Sequence, residues 1–137
     1  MKNYTNKALL AAAIEARKNA HCPYSGIAVG AALLTDTGEV FLGANMENAA
    51  FGPSICAERV AFGSALASGH RGFTRIAVVG AKQDAAPDRC FPPCGVCRQV
   101  MAEFCGQDFE IILSDGKEPR VLTLAELLPH GFGKEHF

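Results

Sequence analysis

Apolar and polar positions along the chain fall into short blocks with two different periods. Leu9, Ala13, Ala16 and Ala20 recur at helical spacing among charged neighbours and predict an amphipathic first helix. That helix is expected to end near His21, because Pro23 forbids its continuation and biases Cys22 toward an extended conformation. Ile27 to Thr35 reads as a strand, and Val40 to Ala44 as its hairpin partner across the turn residues Asp36-Thr37-Gly38. Glu47 to Ile55 has no period and carries Gly52, Pro53 and Ser54, which predicts a loop. From Cys56 to about Ala67 small and apolar residues suit a helix, stopped by Gly69. Arg75 to Gly80 is a continuous apolar run, the mark of a strand covered on both faces.

Lys82 to Pro93 is a polar, proline-bearing loop, followed by a second short helix from Gly95 to about Phe104. Phe109 to Leu113 predicts a fourth strand and Pro119 to Leu122 a fifth. The last helix opens on a capping box, in which Thr123 and Glu126 satisfy each other's orphan backbone donors, and it stops at Pro129. The order αββαβαββα implies an α/β fold, a three-layer αβα sandwich around a five-stranded mixed sheet.

With 137 residues the chain has the length of one domain, and 49% hydrophobic against 20% charged residues is ordinary globular usage. The net charge of −1 lacks the clustered basic excess that phosphate neutralisation needs, which argues against a nucleic-acid partner. Ala8 to Ile14 imitates the middle of a signal peptide, but Glu15, Arg17 and Lys18 follow at once. No stretch approaches the roughly 20 apolar residues of a membrane span. A cytoplasmic, reducing setting is therefore expected, where clustered cysteines are more often metal ligands than disulfides.

Two of the cysteine-bearing segments carry chemistry: Cys56-Ala57-Glu58-Arg59 and Pro93-Cys94-Gly95-Val96-Cys97-Arg98-Gln99. Both stand where a loop becomes a helix, and the partial positive charge of a helix start favours thiolate over thiol. Cys94 and Cys97 share one face of a first turn, and Cys56 brings a third sulfur from another helix. Three soft ligands suit Zn²⁺, which takes four, so one position stays open to water, as in catalytic rather than structural zinc sites. Bound zinc lowers the pKa of a water from 15.7 toward about 7. Three thiolates leave the site a formal −1, which opposes this effect; Arg59 is expected to offset it, with Arg98 a lesser candidate. Glu58, two residues from a ligand, is placed to move a proton between that water and a substrate nitrogen. A ligand-x-Glu followed by Pro-Cys-x-x-Cys is the signature of zinc deaminases, here with cysteine at the place of the first histidine.

On these motifs, and on Pro23-Tyr24-Ser25, Val29 to Leu34, Asn45 to Ala50 and Glu126 to Pro129, the sequence resembles the small, homotetrameric type of zinc-dependent cytidine deaminase over nearly its whole length. The resemblance implies a single domain spanning 1–137 and hydrolytic deamination of cytidine and deoxycytidine to uridine and deoxyuridine in pyrimidine salvage. It implies that a zinc-activated hydroxide adds to C4 while Glu58 relays the proton, with one Zn²⁺ per chain on Cys56, Cys94 and Cys97. Ala57 matches a residue whose backbone contacts the pyrimidine. Asn45 and Glu47 match the pair that hydrogen-bonds the ribose 3′-hydroxyl, and Phe132 an aromatic that stacks over a base bound in a neighbouring subunit, so self-association with shared sites is implied. A carboxylate at Glu47 would repel a phosphate, which favours a free nucleoside. Two positions depart from the family. Ile27 stands where it usually carries a phenylalanine, exchanging a stacking contact worth about 1–3 kcal/mol for aliphatic packing. Phe51 stands where tyrosine is common.

Other readings remain beside this one. Cys90 could serve as a fourth ligand closing the site, and Cys22 and Cys105 read as small core residues. His21, His70, His130 and His136 read as solvated loop or tail residues. The same zinc motifs occur in deaminases of blasticidin-type antibiotics, and a non-catalytic zinc-stabilised interaction module would show a closed four-ligand site.

Overall fold

The computed structural model describes residues 4–137. Its organising element is β1 (Ile27–Thr35), in which only Ile27 escapes full burial. The continuous apolar run divides with period two. Ala31 and Leu33 face one core cluster, and Ala32 and Leu34 face the other. β1 pairs antiparallel with β2 (Val40–Ala44) on one side and with β3 (Phe73–Lys82) on the other. β3 pairs parallel with β4 (Glu110–Ser114), which pairs antiparallel with β5 (Pro119–Thr123), so the sheet is mixed with strand order β2-β1-β3-β4-β5. The parallel pair demands a crossover, supplied by the loop after β3 and by α3 (Gly95–Phe104).

Helices cover both faces, as the order of elements predicts. Leu9, Leu10 and Ala13 of α1 (Asn6–Arg17) pack on Ala32, Leu34, Ala77, Val79 and Ile112. On the opposite face α2 (Ala57–Ala67) and α3 bury Ala61, Phe62, Ala65 and Met101 against Val29, Leu33, Ile76, Val78 and Ile111. Two glycines let the helices approach. A Cβ on Gly30 would lie 1.9 Å from the Ala13 carbonyl oxygen, and one on Gly43 of β2 2.1 Å from that of Ala57. The capping box opens α4 (Leu124–Leu127) as expected, with Thr123 Oγ1 accepting from Glu126 N at 3.3 Å and Glu126 Oε1 from Thr123 N at 3.0 Å. Among the described residues no helix is long and apolar enough to cross a membrane.

Three expectations need correction. α1 ends at Arg17 rather than near His21, so Ala20 lies off the helix and Leu10 joins the buried face. Competing hydrogen bonds explain it: His21 N donates to Asn45 O at 2.9 Å, and Glu47 N donates to His21 O at 2.8 Å. β3 runs longer than Arg75–Gly80, because β1 offers it partners from Lys82 down to Phe73. His70 is not a solvated loop residue. Its side chain is 19% exposed, its Nε2 lies 2.8 Å from Glu39 Oε2, and its ring packs against Phe41.

Candidate active site

Cys56 and Cys94 are the N-cap residues of α2 and α3, and neither side chain caps its own helix. Their sulfurs instead meet 3.8 Å apart. Cys97, one turn into α3 and buried, completes a group whose three Sγ atoms all lie within 4.8 Å of one another. Two sulfurs about 2.3 Å from a tetrahedral zinc stand about 3.8 Å apart, so the Cys56–Cys94 separation matches an edge of such a site. The donors are soft and the two helix starts are electropositive, so the group fits Zn²⁺. Cys90 is not part of it; it packs partly buried against the core. Among the described residues the group supplies three donors, one fewer than a closed tetrahedron.

Arg59 lies one turn after Cys56 on α2 and donates from Nη2 to Cys56 Sγ at 3.5 Å, while its Nε is buried without a partner. Hydrogen bonds from Cys97, then Arg59 and Cys94, hold the Cys56 thiol down at about 5 against the opposing effect of its burial. The cost falls on Cys97, whose thiol is pushed up by sharing its proton with Cys56 and by burial. Arg98, the lesser candidate for offsetting the thiolate charge, is committed elsewhere. It donates to Pro93 O at 2.8 Å and to Leu127 O at 2.7 Å, tying the start of α3 to α4.

Beside the sulfurs opens a cavity of about 490 Å³, reached by Cys56, Cys94, Glu58, Arg59, Asn45 and Glu47. Glu58 is 3% exposed. Burial raises its carboxyl above the usual range and the neighbouring Cys56 adds to this, partly offset by its own backbone N–H and by Cys97. A buried carboxyl in a cavity wall next to a metal-fitting cluster is suited to holding a proton and passing it on.

The outer end is built differently. Asn45 Oδ1 accepts from Val29 N at 2.8 Å and its Nδ2 donates to Ile27 O at 2.8 Å, bracing the side chain on β1 and leaving one amide proton. Glu47 accepts from Ser25 Oγ at 2.5 Å, Ser25 N at 3.1 Å and Tyr24 N at 3.0 Å, and these bonds lower its carboxyl's pKa, that from the Ser25 hydroxyl foremost.

Ile27 lines the cavity as well, whereas Ala57 is fully buried at the first position of α2. Phe132 does not reach the cavity within its own chain. It is 57% exposed, stacks on His136 with centroids 5.0 Å apart, and its carbonyl accepts from Gln99 Nε2 at 2.8 Å. Phe51 is 79% exposed beyond the outer end, in a hollow it shares with Tyr24 and Glu47. Sequence reasoning missed Phe91, which also lines the cavity; its signal was an aromatic directly before Pro92-Pro93-Cys94. Cys22 and Cys105 are thiols of the interior, and burial pushes Cys105 up to about 12.

Comparison with known proteins agrees with this geometry. Residues 3–112 match the family model described as the cytidine and deoxycytidylate deaminase zinc-binding region. The cytidine deaminase of Halalkalibacterium halodurans is 46% identical over 128 residues, 93% of each chain. The crystal structure of cytidine deaminase from Burkholderia pseudomallei superposes with a TM-score of 0.86 at 45% identity, covering 94% of this chain and all of that one. A more distant match, the blasticidin-S deaminase of Bacillus cereus, is 34% identical over 104 residues, 74% of each chain. On its sequence, its sheet and its three converging cysteines, this chain belongs to the zinc-binding cytidine and deoxycytidylate deaminase family.

Proposed function

We propose that this chain, acting as one catalytic domain, deaminates cytidine and deoxycytidine to uridine and deoxyuridine with release of ammonia. The observation that carries the reading is Glu58, a buried carboxyl in the wall of the cavity that Cys56 and Cys94 also line. A zinc ion on Cys56, Cys94 and Cys97 would supply activation of water at neutral pH. Glu58 takes that water's proton on its carboxylate and passes it to N3 of the pyrimidine, then takes the remaining proton of the hydroxyl added at C4 and delivers it to the departing amine, leaving the C4 carbonyl. Arg59 offsets the excess negative charge of three thiolates through its contact with Cys56.

At the other end, Glu47 has acceptor capacity left for a ribose 3′-hydroxyl, and Asn45 has one amide proton to offer. A phosphate on the 3′ oxygen would face the Glu47 carboxylate, which supports a free nucleoside as substrate and a place in pyrimidine salvage. Exposed Tyr24, Phe51, Met46 and Phe132 support self-association, as a homotetramer in which Phe132 stacks over a base held by another copy. Six cysteines without a disulfide support a reducing, cytoplasmic setting.

The blasticidin-S deaminase match and the aliphatic Ile27 favour one second reading, the same chemistry on an antibiotic cytosine nucleoside. The test incubates purified protein with cytidine and, separately, with blasticidin S, following ammonia and the deaminated product, with zinc assayed on the same sample. Uridine and ammonia in equal amounts, with one zinc per chain, are expected. A zinc-loaded protein that leaves cytidine unchanged overturns the reading, and turnover of the antibiotic alone selects the second.

A further inference from the structure

We infer that Phe91 supplies the flat aromatic wall against which the pyrimidine base is held, in place of the planar side chain that Ile27 cannot provide. The inference rests on the deaminase reading above. Ile27 and Phe91 line the same cavity, and both also line the hollow next to it, so the two side chains are neighbours. The β1–β3 register explains how they meet: Val29, also in the cavity wall, lies opposite Gly80, and Ile27 opposite Lys82.

Gly80 provides the seat. A Cβ there would stand 2.6 Å from Phe91 Cγ and 2.7 Å from each of its Cδ atoms. Near-equal distances to those three atoms mean that the ring lies flat over the glycine, not edge-on. The sequence stiffens the approach on the other side. Phe91 precedes Pro92 and is thereby biased to extended backbone, Pro93 is buried, and Cys94 follows at once. The ring is thus held three residues from a metal-fitting sulfur. A planar, polarisable ring in the wall of the cavity that Cys94 also lines can take up one face of a base by stacking, whereas a β-branched aliphatic chain offers no flat face.

The test measures steady-state kinetics on cytidine for zinc-loaded Phe91→Leu, Phe91→Met and Phe91→Tyr, and for Ile27→Phe alone and combined with Phe91→Leu. The aliphatic variants are expected to raise KM about ten- to a hundredfold with much smaller changes in kcat, while Phe91→Tyr stays near the parent. Ile27→Phe is expected to restore KM in the Phe91→Leu background and to give no gain where Phe91 is present. KM within twofold of the parent for both aliphatic variants overturns the inference. Failure of Ile27→Phe to rescue does the same, as does loss of zinc or of the folded state in both aliphatic variants, which would make the ring a packing element. An inactive parent chain instead refutes the deaminase reading, so the two failures are told apart.

Discussion

Glu58 combines burial with a cavity position two residues from Cys56, and its chemistry can be tested without disturbing the metal-fitting group. Glu58→Gln keeps the shape of the side chain and removes its ability to carry a proton. The variant is expected to hold one zinc per chain, as read by metal analysis, and to lose about 10²–10⁴-fold in kcat on cytidine. Retention of near-parental kcat would rule out the proton relay. The convergence of the three cysteines and the cavity position of Glu58 were legible in the sequence, because metal binding and proton transfer demand particular residue types at particular spacings from helix starts. Phe91 was not, since an aromatic in a proline-bearing loop has no period to betray it, and its seat on Gly80 exists only once β3 is folded. His70 was misread for the same reason: its partners Glu39 and Phe41 are some thirty residues away in sequence.

At the level of elements, α2 carries Cys56 at its N-cap and Glu58 in its first turn, so its height above the sheet sets the geometry of the site. Gly43 fixes that height. A Cβ there would meet Ala57 O at 2.1 Å and Ala61 N at 2.7 Å, both backbone atoms of α2, so the helix has to lift. Gly43→Ala is expected to destabilise the fold by about 1–3 kcal/mol and to weaken zinc retention against a competing chelator. Gly63→Ala on the same helix meets nothing within 4 Å and is expected to stabilise by about 0.5–1 kcal/mol through helix propensity. Denaturant unfolding of the two variants decides the matter, and equal effects would remove the argument from close approach. Element order and type were legible because buried strands and amphipathic helices leave different periods. The end of α1 was not, because it is set by hydrogen bonds from His21 to the chain around Asn45 and Glu47, a contact between segments more than twenty residues apart.

The whole molecule places its aromatic tail away from its own cavity. Phe132 is more than half exposed, and its ring rests on His136 and Phe137. On the proposal that Phe132 stacks over a base bound by another copy, the ring and Glu58 of one site belong to different chains, and the two contributions can be recombined. A Phe132→Ala chain keeps Glu58 and its cavity and is expected to show a KM for cytidine raised about tenfold from lost stacking. A Glu58→Gln chain is expected to contribute little turnover but keeps Phe132. When the two variants are co-expressed and the mixed assembly is isolated on two different tags, some sites are expected to join Glu58 of one chain to Phe132 of the other. Those sites are expected to turn over cytidine with the KM of the parent protein, giving a two-component saturation curve. A single component with the raised KM of Phe132→Ala would show that the tail serves only its own chain. Gel filtration of each variant checks that assembly itself is intact, since a change in size would trace the kinetic change to lost association rather than to the ring.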